Sequence, residues 1–328
     1  MKPMVRLVDR LRRKTRVPEP SQSPLESPNA TGLEAVTQVE SIPAIPADFV
    51  SDEMSTWARE AGIVLDSVDG VWWHLGGDDR GDELAQAQHS EGYVGLQFHG
   101  GGYTLGSAKD VRSGFARIPR GLVERRICSC VLSIEYTLVS NEKDGPKRSF
   151  PLQILEALSA YRHLIDTLKI PNHRIIVVGD SAGAHLAIAL QRYLLESKCL
   201  PSPQGLLLLS PWCDLSADAD RVQGLLGPKS AQDVTAPYFS PALHSPPPQW
   251  PPTMVYSGAL EGFASSIAVL VSKLRDAGAE VAFYEAPHIL PRYSHDFLIF
   301  ATVEGAWPDE VRECWARIKA WVDALRSA

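Results

Sequence analysis

The sequence predicts an α/β fold in which a mostly parallel central sheet carries helices on both faces. Short apolar segments alternate with longer segments of helical periodicity, which is typical of βαβ units. The central short segments are apolar at successive positions, as strands buried on both faces must be. With 328 residues, 45% of them hydrophobic, the chain also has enough apolar material for a large core.

The predicted strands and helices follow one another along the chain. Each strand is a short run of apolar or β-branched residues, and each helix repeats apolar residues three or four positions apart. In order, the strands cover residues 93–98, 127–134, 175–178, 206–209, 253–257 and 280–285. The helices cover residues 151–168, 182–195, 265–277 and 309–326. The alternation predicts parallel strands joined by helices.

Two segments interrupt this alternation. Residues 1–47 are basic at first and then rich in Pro, Ser, Glu and Thr, which predicts a flexible leader ahead of a folded domain at 48–328. Residues 214–250 are rich in Pro, Ala and Ser and predict an insertion that lies over the sheet. We expect this insertion, with the segment near 48–70, to form a small cap that excludes water from the site.

The net charge and the cysteines indicate which kinds of partner and which cell compartment to expect. A net charge of −7 argues against nucleic acid as the main partner, because phosphate binding needs a basic surface. No run of about 18 apolar residues is present, so we expect no integral membrane span. The 5 cysteines have no metal-ligand spacing and fit a reduced, cytoplasmic protein. Residues 1–16 predict a solvated basic tail, although an organelle leader or a membrane-surface helix stays open.

Residues 179–183 read Gly-Asp-Ser-Ala-Gly and carry the strongest local signal. The apolar strand predicted at 175–178 runs directly into this pentapeptide, and a predicted helix begins at Ala182. This strand–turn–helix context predicts a nucleophile elbow, in which a sharp turn raises the hydroxyl of Ser181 above the sheet edge. The helix that follows directs its free N–H groups towards developing negative charge.

Residues 99–102 read His-Gly-Gly-Gly and follow another predicted strand. Glycines let backbone N–H groups approach a reacting carbonyl without side-chain obstruction, and such donors stabilise the oxyanion of acyl transfer. The expected donors of this oxyanion hole are the N–H groups of Gly101, Gly102 and Ala182. We expect His99 and Gly100 to support the loop, with no role for His99 in proton transfer.

These motifs resemble those of the hormone-sensitive-lipase-like group of α/β-hydrolases, which includes many carboxylesterases. The resemblance spans roughly residues 90–300 and is closest at 94–107 and 179–186. Phe-Pro at 150–151 and Leu-Ser-Pro-Trp at 209–212 agree with it as well. The resemblance implies the α/β-hydrolase fold, a small cap and a Ser–acid–His triad, and it is much less specific for the substrate.

A nucleophilic serine needs a base to take its proton, and in this fold the base follows the acid in the chain. His244, His288 and His295 all come after the predicted elbow and its helix. His244 falls in the predicted insertion and precedes the best acid candidate, and chain order alone leaves His288 and His295 open. The resemblance selects His295, because the group's catalytic histidine is commonly followed two positions later by Phe, as His295 is.

The acid implied by the resemblance is Glu261. The group usually has Asp at this position, and a glutamate can also accept the imidazole N–H. Asp214 and Asp296 are the other carboxylates considered for this role. Residues 136–140 depart from the group, which often has Arg after the Tyr and a Pro further on.

Motifs and resemblance together predict a serine hydrolase that cleaves a carboxylic ester of a small molecule through an acyl-enzyme on Ser181. No metal and no organic cofactor are implied. Amide or formamide hydrolysis stays open, as does lyase or condensation chemistry in which His295 is a general base. A ligand-binding receptor is disfavoured, because Ser181 and a suitable histidine are both present. The candidates for the pocket wall are Tyr103, Trp212 and Phe263.

Overall fold

The computed structural model describes residues 34–76, 83–139, 148–218, 234–286, 295–300 and 308–326. The strands are β1 (Ala35–Ile42), β2 (Val68–Leu75), β3 (Val94–Phe98), β4 (Cys130–Ile134), β5 (Ile175–Asp180), β6 (Gly205–Leu209), β7 (Thr253–Gly258) and β8 (Val281–Ala286). They form one sheet in the order β1-β2-β4-β3-β5-β6-β7-β8. β1 and β2 pair antiparallel with their neighbours, and the pairings from β4 to β8 are parallel.

Helices cover both faces of the sheet. They are α1 (Asp52–Glu60), α2 (Glu83–His89), α3 (Arg117–Glu124), α4 (Leu152–Arg162), α5 (Ala182–Ser197), α6 (Ala264–Asp276), α7 (Phe297–Phe300) and α8 (Pro308–Leu325). Apolar side chains of α3 and α8 pack in one core layer, and those of α4, α5 and α6 pack in the other. The predicted α/β fold is confirmed. Within the described ranges, no helix is both long and apolar enough to cross a membrane.

The middle strands place the two glycine-containing motifs side by side. Every residue of β3, β5 and β6 is buried. In β5, Val177 enters one core layer and Val178 the other, so both faces contribute to stability. β3 and β5 are hydrogen-bonded neighbours in which Phe98 lies opposite Gly179. The loops that follow these two strands therefore meet at the same edge of the sheet.

The predicted end of the flexible leader at residue 47 is wrong, because β1 belongs to the sheet. β1 pairs with β2 along its whole length, yet only Ile42 is buried, so the strand lacks the apolar alternation that identifies strands in a sequence. A side-chain contact fixes it as well, since Trp72 Nε1 donates to Glu40 Oε2 at 2.7 Å. Residues 1–33 of the leader lie outside the described residues.

The segment near 48–70 contains α1, and its last residues belong to β2 of the sheet. α1 packs through Trp57, whose ring centroid is 5.4 Å from that of Phe150 and 6.1 Å from that of Tyr238. Val68 instead begins β2, so the expectation that the segment belongs to a cap is wrong for its last residues. The cause is the run of apolar residues after Val68, which is buried between β1 and β4.

The predicted insertion at 214–250 is described only in part, because residues 219–233 lie outside the described residues. The part that follows packs on the domain. Phe239 meets Phe150 edge-on with ring centroids 4.8 Å apart, and the hydroxyl of Ser240 accepts the N–H of Leu215 at 2.9 Å. These contacts connect the start of the insertion at Leu215 to Ser240 and pack Phe239 against Phe150, just before α4.

Candidate active site

Ser181 lies at the sharp turn between β5 and α5. Its backbone has φ +52° and ψ −114°, a conformation that costs a non-glycine residue about 1–3 kcal/mol. Its N–H donates to the carbonyl of Leu209 at 2.9 Å. Its own carbonyl accepts the N–H groups of His185 and Trp212, each at 3.1 Å. These three bonds hold the strained turn in place.

Small residues let this turn lie close to the neighbouring backbone. A Cβ on Gly183 would come within 2.0 Å of the carbonyl oxygen of Phe98. A Cβ on Gly179 would come within 2.4 Å of the carbonyl of Gly183. Both glycines are therefore required by the packing of α5 against the ends of β3 and β5.

His295 bridges Ser181 and Glu261. Its Nε2 is 2.8 Å from Oγ of Ser181, and its Nδ1 is 3.1 Å from Oε2 of Glu261. The Glu261 side chain is fully buried, whereas that of His295 is 31% exposed. The carboxylate accepts the Nδ1–H, which leaves Nε2 to face the hydroxyl. This arrangement can remove a proton from Ser181.

The other candidate residues are placed differently. Asp214 accepts two hydrogen bonds within its own local turn. Asp296 is 3.1 Å from Nε2 of His295 rather than from Nδ1. His288 lies outside the described residues. Glu261 is therefore the carboxylate that faces Nδ1 of His295.

The glycine loop after β3 lies against the turn that carries Ser181. The N–H of Gly100 donates to Oδ2 of Asp180 at 2.9 Å. A Cβ on Gly100 would be 2.3 Å from the same oxygen and 3.2 Å from the Cβ of Ser181. Only glycine fits at this position, and the carboxyl group of Asp180 ties the two motifs together.

The three backbone N–H groups that are predicted as oxyanion donors have no backbone partner in the described part of the chain. Gly101 has φ +106° and Gly102 has φ +62°, in the region that glycine adopts readily. Their N–H groups donate no backbone hydrogen bond within the described part of the chain. Ala182 is the first residue of α5, so its N–H has no partner in its own helix. These are the donors that the sequence predicts.

His99 and Tyr136 support the glycine loop. His99 Nδ1 donates to the carbonyl of Gly100 at 2.7 Å. The Tyr136 hydroxyl donates to the carbonyl of His99 at 2.6 Å, and the two rings stack with centroids 4.3 Å apart. Burial lowers the pKa of His99, which keeps its ring neutral near pH 7. These contacts favour a supporting role for His99 over proton transfer.

Glu156 bonds to the segment 136–140, where this sequence departs from the hormone-sensitive-lipase-like group. The N–H and the hydroxyl of Thr137 donate to the Glu156 carboxyl group at 2.8 and 2.5 Å. Gln153 Nε2 donates to the carbonyl of Thr137 at 2.8 Å. Burial raises the pKa of Glu156 to about 7. A buried carboxyl group thus fixes the segment that carries Tyr136.

Glu156→Gln is expected to remove part of the pH dependence of stability. Because the pKa is raised, the stabilisation is fully present below pH 4.5 and is lost as the pH rises to about 7, by up to about 3 kcal/mol. A glutamine can accept the N–H of Thr137 and donate to its hydroxyl, so both contacts survive without ionisation. Urea unfolding at about pH 5 and about pH 8 measures the change. Equal pH slopes in wild type and variant would contradict this prediction.

Known proteins resemble this chain over the region that carries the site. The family described as alpha/beta hydrolase fold matches residues 95–298. The chain belongs to this family. An acetyl-hydrolase of Streptomyces hygroscopicus is 27% identical in an alignment of 223 residues that covers 63% of this α/β-hydrolase and 70% of the relative. An esterase of Acinetobacter venetianus is 26% identical in an alignment of 262 residues that covers 75% of this chain and 79% of the relative.

A solved structure also resembles this chain. A hormone-sensitive lipase from a metagenome library is 25% identical and superposes with a TM-score of 0.57. The match covers 78% of this α/β-hydrolase and 82% of the other chain. The chain is an enzyme of carboxylesterase type in the hormone-sensitive-lipase-like group, as the sequence motifs imply.

Aromatic side chains stand beside His295 in this α/β-hydrolase. Phe263 meets the His295 ring edge-on at a centroid distance of 5.0 Å, and Trp212 stacks on Phe263 at 6.2 Å. Tyr103 is buried, and its hydroxyl is 2.7 Å from Nδ1 of His185 beside a cavity of about 20 Å³. Phe263 and Trp212 are thus positioned near the reacting groups, whereas Tyr103 packs in the interior.

Two polar residues of the site were not recognised from the sequence. Asp180 fills the variable position of the pentapeptide, and its bond to Gly100 depends on β3 and β5 being neighbours. Tyr136 reaches His99 from the end of β4, again across the sheet. A charged residue at the end of a fully buried strand is the one signal that could have identified Asp180.

Proposed function

We propose that this chain hydrolyses carboxylic esters of small molecules through an acyl-enzyme on Ser181. The observation that carries the proposal is the pair of contacts at His295, 2.8 Å from Nε2 to Ser181 Oγ and 3.1 Å from Nδ1 to Glu261 Oε2. A base held in one orientation beside a hydroxyl is the arrangement that activates a weak oxygen nucleophile.

The reaction would proceed in two halves. His295 Nε2 takes the proton as Ser181 Oγ forms a bond to the ester carbonyl carbon. The C–O bond to the alcohol then breaks, and the same proton leaves with the alcohol. In the second half, a water molecule gives its proton to Nε2 and attacks the acyl group, and the acid is released as Oγ regains the proton. Glu261 keeps the ring oriented throughout and stabilises its positive charge.

The backbone donors would stabilise the tetrahedral intermediate of each half. Its oxyanion would accept the N–H groups of Gly101, Gly102 and Ala182. Removing one such donor typically costs about 3–4 kcal/mol of transition-state stabilisation, so this group contributes a large part of catalysis. Asp180 and Tyr136 would act indirectly, because they bond to the glycine loop and are themselves buried.

The relatives suggest which esters to test first. The Streptomyces hygroscopicus relative is an acetyl-hydrolase and the Acinetobacter venetianus relative is an esterase. We therefore propose a small ester with a short acyl group as substrate. A p-nitrophenyl series from acetate upward, together with a fluorophosphonate probe, tests both the reaction and the acyl length. A Ser181 adduct and turnover of the short esters are expected. The absence of both would overturn the proposal and favour general-base chemistry without an acyl-enzyme.

Glu261→Gln is expected to lower kcat by about 10³- to 10⁴-fold with little change in stability. The amide would present its NH₂ group to Nδ1 and would force the proton onto Nε2, where it blocks acceptance of the hydroxyl proton of Ser181. Steady-state kinetics on p-nitrophenyl acetate measures the loss. Asp214→Asn is the matched control, because among the described residues that carboxylate accepts hydrogen bonds from Ser216 in its own local turn. A Glu261→Gln enzyme with near wild-type kcat would show that another group holds the ring.

A further inference from the structure

Tyr103 directly follows the two glycines whose N–H groups would face the oxyanion. Its backbone has φ +62°, in the left-handed region that residues other than glycine rarely adopt. The side chain is buried, and its hydroxyl is 2.7 Å from Nδ1 of His185. Its carbonyl accepts the N–H of Val139 at 2.8 Å. A side-chain bond and a backbone bond thus hold this unusual conformation, and the reaction steps above give the hydroxyl no role.

His185 lies one helical turn beyond the nucleophile, on α5. Its N–H donates to the carbonyl of Ser181 at 3.1 Å, so its backbone contacts the strained turn directly. Its ring is buried, and Nε2 is 3.2 Å from the carbonyl of Phe239. His185 is therefore bonded to the nucleophile turn through its backbone and to the end of the glycine loop, at Tyr103, through its ring.

The direction of the two ring bonds follows from the protonation of His185. Burial lowers the pKa of His185 to about 4, so the ring is neutral near pH 7 and carries a single N–H. The carbonyl of Phe239 can only accept, which places that N–H at Nε2 and makes Nδ1 an acceptor. The hydroxyl of Tyr103 therefore donates to Nδ1. Burial also raises the pKa of Tyr103, which keeps the proton on its oxygen.

This hydrogen bond connects the two groups of expected oxyanion donors. Gly101 and Gly102 lie immediately before Tyr103 in the chain. Ala182 lies three positions before His185, at the start of α5. Donors that share one oxygen must hold their separation closely, because small errors in the position of catalytic groups cost large factors in rate. A contact between the glycine loop and α5 is therefore a contact between the two sides of the oxyanion hole.

The glycine loop is bonded to the nucleophile segment at both of its ends. At its start, the N–H of Gly100 donates to Oδ2 of Asp180 at 2.9 Å. At its end, the hydroxyl of Tyr103 donates to His185 at 2.7 Å. Loss of the second bond would leave the first in place and would let the glycines between them shift relative to α5.

We infer that Tyr103 and His185 are positioning residues, whose hydrogen bond holds the N–H groups of the glycine loop and of α5 at the separation that one oxyanion needs. The inference rests on the proposed function and extends it to two side chains outside the triad. Both act through the backbone donors. Tyr103 thereby has a different role from the pocket wall that the sequence predicts.

Tyr103→Phe removes this bond and keeps the aromatic ring. We expect kcat on p-nitrophenyl acetate to fall by about 10- to 100-fold with little change in KM, because misplaced donors weaken stabilisation of the transition state rather than binding of the ester. A short-chain trifluoromethyl ketone is the second readout. Oγ of Ser181 adds to its carbonyl carbon, His295 takes the Ser181 proton, and the carbonyl oxygen becomes an oxyanion. Its Ki should rise by the factor by which kcat/KM falls.

Tyr161→Phe is the matched control. The hydroxyl of Tyr161, on α4, donates to the carbonyl of Pro201 at 2.8 Å, beyond the end of α5 that is far from Ser181. This control also loses the hydrogen bond of a buried tyrosine, so it reports the effect of lowered stability alone. We expect similar losses of thermal stability in the two variants, and wild-type kcat and Ki in Tyr161→Phe.

His185→Leu breaks the same bond from the other side. Its kcat should fall at least as far as that of Tyr103→Phe, because it also removes the donor to Phe239. The double variant should be no slower than the slower single variant, since both changes remove one shared contact. Losses that multiply in the double variant would show that the two side chains do not act through their bond, and would overturn the inference.

Three other results would overturn the role of Tyr103 and His185. One is wild-type kcat and Ki in Tyr103→Phe, or in His185→Leu if Tyr103→Phe does not fold. The second is a higher KM with unchanged kcat, which would make Tyr103 a wall of the substrate pocket. The third is a lower thermal stability with the kcat of Tyr161→Phe, which would leave the bond a structural role only.

Failure of the proposed function looks different, because the wild type would then show neither ester turnover nor a Ser181 adduct. Hydrogen exchange of the peptide that covers residues 99–105, measured by mass spectrometry, still tests the inference in that case. Faster exchange in Tyr103→Phe than in Tyr161→Phe would support the positioning of the loop by this bond. Equal exchange in the two variants would overturn it.

Discussion

Ser181→Ala is expected to abolish ester turnover, with a loss in kcat on the order of 10⁵-fold or more. The substitution removes the atom that forms the acyl-enzyme, and no other hydroxyl is held at 2.8 Å from Nε2 of His295 in the described part of the chain. Any residual rate would come from water attack assisted by the backbone donors. Steady-state kinetics on p-nitrophenyl acetate and loss of fluorophosphonate labelling measure the effect.

The fold should survive this change. The backbone bonds of Ser181 to Leu209, His185 and Trp212 do not involve its side chain, and alanine is no larger than serine. We expect the free energy of unfolding to stay within about 1 kcal/mol of the wild-type value. Ser197→Ala, at the other end of α5, is the matched control and should keep full activity. A Ser181→Ala protein that hydrolyses p-nitrophenyl acetate near the wild-type rate would refute the assignment of the nucleophile.

The parts of the fold that the sequence predicts are those with a strong local signal. β5 is apolar at every position up to Gly179 because both of its faces are buried, and that pattern is readable without knowing its neighbours. β1 has no such pattern, since Ile42 is its one buried residue. β2 carries two adjacent tryptophans that enter opposite core layers, but its antiparallel pairing is set by residues far away in sequence.

The residues of the site also differ in whether a local sequence signal predicts them. Ser181 and the glycine loop are contiguous motifs, so the sequence alone predicts their chemistry. His295 and Glu261 meet across 34 positions, and only the family resemblance singled them out. Asp296 is a sequence candidate for the carboxylate at Nδ1, whereas its carboxyl group lies 3.1 Å from Nε2. Which nitrogen a neighbouring carboxylate reaches depends on its backbone conformation, φ +51°, and no sequence pattern states that value.

His295→Ala is expected to lower kcat on the order of 10⁵-fold, close to the loss for Ser181→Ala, because the two residues act as a unit. Without the base, the hydroxyl of Ser181 keeps its proton and remains a weak nucleophile. The double variant should therefore be no slower than either single variant, whereas independent contributions would multiply. His288→Ala is the comparison that tests the choice of histidine, and it should cost far less. A larger loss for His288→Ala than for His295→Ala, or losses that multiply in the double variant, would show that His295 is not the base that activates Ser181.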